Sequence, residues 1–337
     1  MLIDRFLEDA AEVDVDAIRD ATGEVLIGGV MEHVEEAGVH SGDSACAIPP
    51  QTLQPWVVEV IEAYTRAIAD ALDVRGLINV QYAVRQNQVY VIEANPRASR
   101  TVPFVAKATG VPLAKIASRV MLGATLAQLR YEGLLVPPAN AGHVAVKEAV
   151  LPFSRFPDVD TALGPEMRST GEVMGIDASF GIAFFKAETA AGTVLPETGT
   201  VFLSLADHDK PAGLIVARRL RERGLSICAT AGTAAYLRRF GMTIDDDQLV
   251  DKLSEGTGRS AIELIDAGKI NFVINTPRGS GSRADGYYIR RQATLARIGS
   301  VTTVEAALAL ASGLHERANS ELTVRSLQEY HAAARGS

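Results

Sequence analysis

The chain has 337 residues, and at about 150 residues per domain that is a prior of two domains, each long enough to bury a core. Hydrophobic residues at 47% and charged residues at 22% exclude a disordered chain, and a net charge of −8 argues against partners bound by bulk positive charge, so neither nucleic acid nor an anionic membrane is expected. No apolar run approaches the ~18 residues of a membrane span, residues 1–5 carry an acid and a base where a signal peptide needs an apolar stretch, and Cys46 and Cys228 form neither a disulfide framework nor a zinc site, so the expected setting is a reducing cytoplasm.

In chain order, residues 11–18 alternate apolar with acidic (Glu12, Asp14, Asp16), the period of a half-buried strand, and 24–30 read as its partner across a turn at 20–23. Residues 33–49 are polar and Gly-rich, with no helical period. Apolar spacing over 54–72 (Val57, Ile61, Ile68, Leu72) predicts an amphipathic helix. Two β-rich runs, 78–84 and 89–95, flank Arg85-Gln86-Asn87-Gln88 as a hairpin, with Pro96 ending the second. Helices are expected around 111–130, a break at 134–138, an extended stretch over 144–175 and a helix over 177–190. The small, polar run 192–199 marks a boundary. Beyond it strands at 201–205, 225–229 and 271–275 alternate with helices at 211–223 and 233–240, and helices at 302–313 and 321–333 close the chain. Such alternation implies right-handed crossovers and a parallel sheet whose ligands sit beyond the carboxyl ends of its strands. The expected fold class is α/β: a mixed α+β lobe over 1–190, then a Rossmann-like parallel-sheet domain over 191–337.

Local chemistry concentrates in the hairpin. Centred on Asn87, its opposed residues sum to 174, so Gln81 lies opposite Glu93 at ~5 Å between Cβ atoms, and Asn95 shares the face of Glu93. Three oxygen-bearing side chains at the end of an apolar ribbon suit a hard cation such as Mg²⁺ or Mn²⁺, and they equally describe a solvated strand end. Arg97, just past the strand, is placed to meet a phosphate or carboxylate. A second polar cluster runs from Glu32 through His33, Glu35, His40, Ser41 and Asp43 to Ser44; it offers acids, imidazoles and backbone donors, or an ordinary surface loop.

Several stretches together resemble one family. Gly28-Gly29-Val30-Met31-Glu32-His33, Ala37-Gly38-Val39-His40-Ser41-Gly42-Asp43-Ser44-Ala45-Cys46 and Ile92-Glu93-Ala94-Asn95-Pro96-Arg97-Ala98-Ser99-Arg100-Thr101-Val102-Pro103-Phe104 are similar to the carboxy-terminal ATP-grasp half of the carbamoyl-phosphate synthase large chain. So are Val146-Lys147-Glu148-Ala149-Val150-Leu151-Pro152-Phe153 and the run from Gly164 to Glu172, and the resemblance covers essentially the whole chain. It implies a ligase that phosphorylates carbamate with ATP, by alignment and charge neutralisation and with no covalent enzyme intermediate. By resemblance Gln81, Glu93 and Asn95 hold Mg²⁺ or Mn²⁺, Arg97 and Arg100 meet phosphates or product, Leu7 and Glu12 stand at adenine- and ribose-side positions, and Gly38, Val39, His40 and Ser41 form a nucleotide-contacting loop. Asp4, His33 and Ser44 match a K⁺ site.

From residue 191 the chain resembles the methylglyoxal-synthase-like regulatory domain of that family. The turn Thr230-Ala231-Gly232-Thr233 joins a strand to a helix and offers hydroxyls and a helix N-terminus to an anion, or simply caps the helix. Resemblance assigns Lys210, Thr230, Thr233, Lys252, Asn275 and Ser204 to a UMP- or IMP-type effector, with Pro277 departing from the family's threonine. Glu35, Asp43, Glu148 and Thr302 match the ornithine positions, but Ser300 stands where the family has an aromatic residue, so a weak or absent ornithine response is expected. The resemblance further implies that a preceding glycine-rich lobe, the carbamate-forming half and the docking surface for a glutaminase small subunit lie outside these residues. The chain alone is then expected to be inactive, and self-association is left open. The competing reading is a non-catalytic nucleotide-binding regulatory module. A lyase of the methylglyoxal synthase type is weaker, because 273–277 lack the acids it needs.

Overall fold

The computed structural model describes residue 7 and residues 10–135, 142–156, 159–251, 259–276, 280–318 and 321–335. The first sheet contains β1 (Ala11–Arg19), β2 (Val25–Glu36), β3 (Cys46–Ile48), β4 (Gly76–Arg85), β5 (Gln88–Asn95), β6 (Val144–Val150) and β7 (Gly171–Asp177). They pair antiparallel in the order β5-β4-β1-β2-β3-β6-β7. On one face lies α1 (Pro55–Ala71), with Pro55 in its first turn and Val57, Ile61, Thr65 and Ala69 buried every fourth residue against Val13, Val15, Ile78 and Val80. On the other lie α2 (Val102–Thr109), α3 (Leu113–Met121) and α4 (Leu126–Tyr131), packed on Ile18 and Met31.

Both faces are therefore covered, which corrects the expected half-buried β1. Asp14 and Asp16 are each 1% exposed. The alternation identified the strand, but the cover over its polar face comes from distant segments. Within residues 33–49, β2 runs on to Glu36, and β3 is a three-residue strand too short to show a period. The helix α2 was also unforeseen; Pro103 lies in its first turn, where its missing N–H costs nothing.

A helix α5 (Phe180–Ala191) lies across β6 and β7 and leads to the second sheet. There β8 (Thr200–Ser204), α6 (Lys210–Glu222), β9 (Ser226–Thr230), α7 (Ala231–Arg239), β10 (Leu249–Val250), α8 (Ala261–Asp266), β11 (Phe272–Asn275), α9 (Ser280–Leu295), β12 (Gly299–Val301), α10 (Val304–Arg317) and α11 (Leu327–Arg335) follow in turn. The five strands are parallel, in the order β10-β9-β8-β11-β12. The expected mixed lobe followed by a parallel-sheet unit is what the chain forms, although α8, α9, β10 and β12 were not anticipated. One apolar core joins Val34 and Val146 of the first sheet, Ala183 and Phe184 of α5, and Leu203 and Ile274 of the second. No helix of the described residues is long and apolar enough to cross a membrane.

Candidate active site

The hairpin β4–β5 turns through Gln86 and Asn87, both at positive φ (51° and 63°), the mark of a two-residue type I′ turn. Arg85 pairs with Gln88 and Tyr82 with Val91, so opposed residues next to the turn sum to 173, not 174. A bulge at Ile92 then inserts one residue, and Gln81 faces Glu93 and Asn79 faces Asn95 as the expected sum requires. The Asn95 amide donates to Glu93 Oε1 at 2.7 Å, and Gln81 Nε2 donates to Ser41 Oγ at 3.5 Å. With their nitrogens so engaged, the amide oxygens of Gln81 and Asn95 remain free to join a Glu93 oxygen around a cation. No group of three His, Cys, Asp or Glu side chains gathers for a metal among the described residues. One carboxylate with two amides suits a Mg²⁺-type ion that completes its shell with phosphates and water, so the donor set fits the expected metal.

These residues border a cleft of about 1220 Å³. Leu7, Glu12, Gly38, Val39, His40, Ser41, Gln81, Glu93, Arg97 and Arg100 all line it, while Asn95 does not and is tied to it through its bond to Glu93. Its floor and rear wall come from residues that no local sequence pattern marks. Asp14 and Asn79 form the floor, Asp14 opposite Gln81 and Asp16 opposite Asn79 on β1 and β4. Asp16 accepts from Ser99 Oγ (2.7 Å), Thr101 Oγ1 (2.6 Å) and Asn79 Nδ2 (3.0 Å), which ties the Arg97–Arg100 turn to the sheet. Burial lifts the Asp16 carboxyl above its usual range despite these donors, and burial likewise lifts Glu12. Lys147 of β6, 1% exposed, reaches across to the Ser41 carbonyl at 3.0 Å and holds the 38–42 loop. The signal for all of these was register: β1, β4 and β6 must be aligned before Asp14, Asn79 and Lys147 share one face.

Beside the cleft, His33 Nε2 meets Asp14 Oδ2 at 3.0 Å, both side chains being buried. Burial opposes charge on the ring, but Cys46 and Asp14 outweigh it and hold His33 well above the usual histidine range. Asp43 is fully occupied by the backbone N–H groups of Arg168 and Ser169, each at 2.8 Å. Glu35 accepts from Ala45 N and Glu148 from Ala149 N. With Glu188 of α5 they make a buried acidic cluster: burial raises all three, Glu35 to about 7. One oxygen of Glu148 is buried with no hydrogen-bond partner among the described residues. Thr302 follows β12, on the second sheet.

On that sheet Ser204, Thr230 and Asn275 end the three adjacent strands β8, β9 and β11, where a parallel sheet opens its crevice. Thr230 precedes α7 without capping it; its Oγ1 donates to Thr233 Oγ1, which accepts from Leu205 N. The Lys210 ammonium lies beside Gly232 in the first turn of α7 and pairs with Asp207. Lys252, Pro277 and Asp4 lie outside the described residues.

Comparison with known proteins reports on both sheets. Residues 1–129 match the family model "Carbamoyl-phosphate synthase L chain, ATP binding domain", and residues 213–302 match the "MGS-like domain". The whole chain aligns, at 53% identity over 353 positions, with 31% of the carbamoyl phosphate synthase large chain of Mycobacterium bovis. Over its whole length the chain is similar to carbamoyl phosphate synthase large chains. A Synechocystis large chain is also 53% identical, over 98% of this chain and 30% of its own length. The chain thus spans about a third of the length of the curated large chains it matches. Among solved structures, the biotin carboxylase domain of a single-chain bacterial carboxylase overlaps 55% of this chain and 48% of its own at TM-score 0.43 and 19% identity. Within the large-chain family match, the ATP-binding model covers β1 to β5 and the Gln81–Glu93 pair, and the MGS-like model covers Thr230, Thr233 and Asn275.

Proposed function

We propose that the chain is the part of a carbamoyl phosphate synthase large chain that binds ATP for carbamate phosphorylation, joined to its regulatory domain, with residues 1–190 and 191–337 as the two units. The observation that carries this reading is Gln81 facing Glu93 across the hairpin on the lining of a cleft, with Asn95 hydrogen-bonded to Glu93. Gln81, Glu93 and Asn95 would hold Mg²⁺ or Mn²⁺, which neutralises charge on bridging phosphate oxygens when bound. Glycines and small residues of the 38–42 loop leave room for a nucleotide, and Lys147 fixes that loop's course. Arg97 and Arg100 bring positive charge to the transferred phosphoryl group or the product, and the Asp16–Ser99–Thr101 bonds hold their turn in place. The K⁺ match is proposed through Ser44 and the backbone oxygen of His33, whose ring is engaged by Asp14.

On the second sheet Thr230 and Asn275 end β9 and β11, with Thr233 and Lys210 beside them, an end of the sheet suited to a phosphate, and a UMP- or IMP-type effector is the proposed occupant. The proposed context is a complete large chain with a glutaminase small subunit, supplying carbamoyl phosphate to pyrimidine and arginine biosynthesis, and these residues alone are proposed to lack synthase activity. The test is calorimetric titration of the chain with a nonhydrolysable ATP analogue and Mn²⁺. Binding is expected, with Glu93→Ala weakening it by at least about ten-fold, as the loss of a metal-ligating carboxylate should. If UMP or IMP binds while the nucleotide–metal pair leaves no heat in wild type, the chain is a regulatory module and the catalytic reading fails.

A further inference from the structure

The candidate crevice and the candidate cleft are joined through one buried side chain. Arg290 on α9 is 0% exposed. Its Nε and Nη2 donate to the two oxygens of Asp160 at 2.9 and 2.8 Å, a bidentate pair. Its Nη1 donates to Asn275 Oδ1 at 2.7 Å. Asn275 closes β11 in the crevice, with its Nδ2 on the Ser204 carbonyl at 3.4 Å.

Asp160 belongs to the other site. It begins the segment 160–172 that walls the cleft through Pro165, Met167, Ser169 and Thr170. The Asp160 carbonyl accepts from Arg168 Nη1 at 2.7 Å, and the Gly164 carbonyl accepts from His40 N at 2.9 Å. Arg168 and Ser169 donate their N–H groups to Asp43, and Ser169 Oγ donates to the Gly42 carbonyl at 2.9 Å. A displacement of Asp160 therefore reaches the 38–43 loop through hydrogen bonds already in place.

The sequence makes room for this contact. Gly286 lies one turn before Arg290, and a Cβ there would sit 2.5 Å from Arg290 Nη1 and 2.7 Å from Asn275 Oδ1. A glycine inside a helix costs about 1 kcal/mol relative to alanine. Here its absent side chain lets the guanidinium meet the asparagine. Once buried, that guanidinium cannot give up its partners singly without leaving a charge unpaired, so the arrangement shifts as a unit.

We propose that Arg290 is a positioning residue that couples the crevice to the cleft. A ligand that draws on Asn275 competes for Arg290 Nη1. The guanidinium then re-seats, and Asp160 carries the change to the cleft wall and the 38–43 loop. The inference rests on the proposed function for the identity of the two ligands and adds the residue that links them.

The test uses the full chain, with UMP and then IMP as effector probes and Mn²⁺ plus a nonhydrolysable ATP analogue as the nucleotide probe. One effector should change the analogue's affinity about five-fold or more, and the analogue should change the effector's affinity by the same factor. The effector alone should alter amide hydrogen exchange over 38–43 and 160–172. In Arg290→Met and in Gly286→Ala the coupling factor should fall to about one, while the analogue alone binds within about three-fold of wild type. Arg290→Lys, which keeps the charge and loses the fork, should retain part of the coupling. Gly286→Ala displaces the guanidinium without removing its charge and favours the helix, so it remains informative if Arg290→Met does not fold. Coupling unchanged in Gly286→Ala overturns the proposal, as does wild type in which neither effector alters exchange or affinity; analogue binding intact in either case leaves the nucleotide reading standing. Effector-induced exchange changes that vanish in both variants, without any analogue binding, would support the coupling and overturn the nucleotide reading instead.

Discussion

Asp16 shows how one buried carboxylate organises the site without reaching the cleft. It accepts hydrogen bonds from Ser99, Thr101 and Asn79, three side chains from two separate segments, and so fixes the turn that presents Arg97 and Arg100. Burial still raises its carboxyl, which means that desolvation outweighs the donors and that each donor matters. Thr101→Val keeps the shape and removes one O–H. It should cost about 1–3 kcal/mol in urea-melt stability, the penalty for a buried acceptor left short of a partner, and it should raise the Asp16 carboxyl further. A variant as stable as wild type would mean that the Thr101 bond is dispensable. Lys147 acts in the same manner at greater range: a buried ammonium that spans from β6 to the Ser41 carbonyl orders a loop otherwise rich in glycine.

At the scale of elements, the hairpin sets the metal-binding end by two compensating irregularities. The turn uses Gln86 and Asn87 at positive φ, and Ile92 bulges out before Glu93. Glutamine is poorly suited to a left-handed conformation, whereas Asn-Gly is the favoured pair for this turn. Gln86→Asn with Asn87→Gly should therefore raise stability by about 1 kcal/mol and leave nucleotide binding unchanged, as read by urea melts and calorimetry. The β4–β5 pairing was legible in the sequence because the apolar runs and the polar Gln81, Glu93 and Asn95 lie close together along the chain. The bulge was not, since Ile92 carries no mark distinguishing it from a ladder residue; the expected facing of Gln81 and Glu93 holds because the bulge offsets the shorter turn. The strand–helix alternation after residue 200 was also legible, whereas β10 and β12 were too short for any period. Arg290 was hidden for a different reason. Its meaning depends on Asp160, 130 residues away, and on a space left by Gly286, and neither is a local signal.

At the scale of the molecule, α5 and α10 carry the junction between the two sheets, and they approach closely at two glycines. A Cβ on Gly313 would lie 2.4 Å from the Gly181 carbonyl oxygen, so Gly313→Ala must push the helices apart and should destabilise the chain by about 1–3 kcal/mol. Trp56, the chain's one tryptophan, lies in the first turn of α1 and is 51% exposed, so its fluorescence follows the unfolding of that helix while far-ultraviolet dichroism reports both halves. The two probes should melt together in wild type, because one apolar core spans both sheets, and separate in Gly313→Ala. The same junction holds the acids that set the response to pH. Burial raises Glu35 on β2 to about 7, Glu148 on β6 well above its usual range, and Glu188 on α5 above 4.5. A carboxyl raised in the folded state binds more protons there than in the unfolded chain, so its contribution is present below about pH 4.5 and is lost as pH rises through the folded value. His33, held above its usual range, acts in the same direction at higher pH, and Asp20, which is lowered, acts only in the acid range below 3.8. The urea midpoint should accordingly fall between about pH 5 and pH 8, and Glu188→Gln, which removes one member of the cluster, should flatten that fall. A midpoint that does not fall across this window would overturn the reading that burial holds these acids protonated in the folded chain.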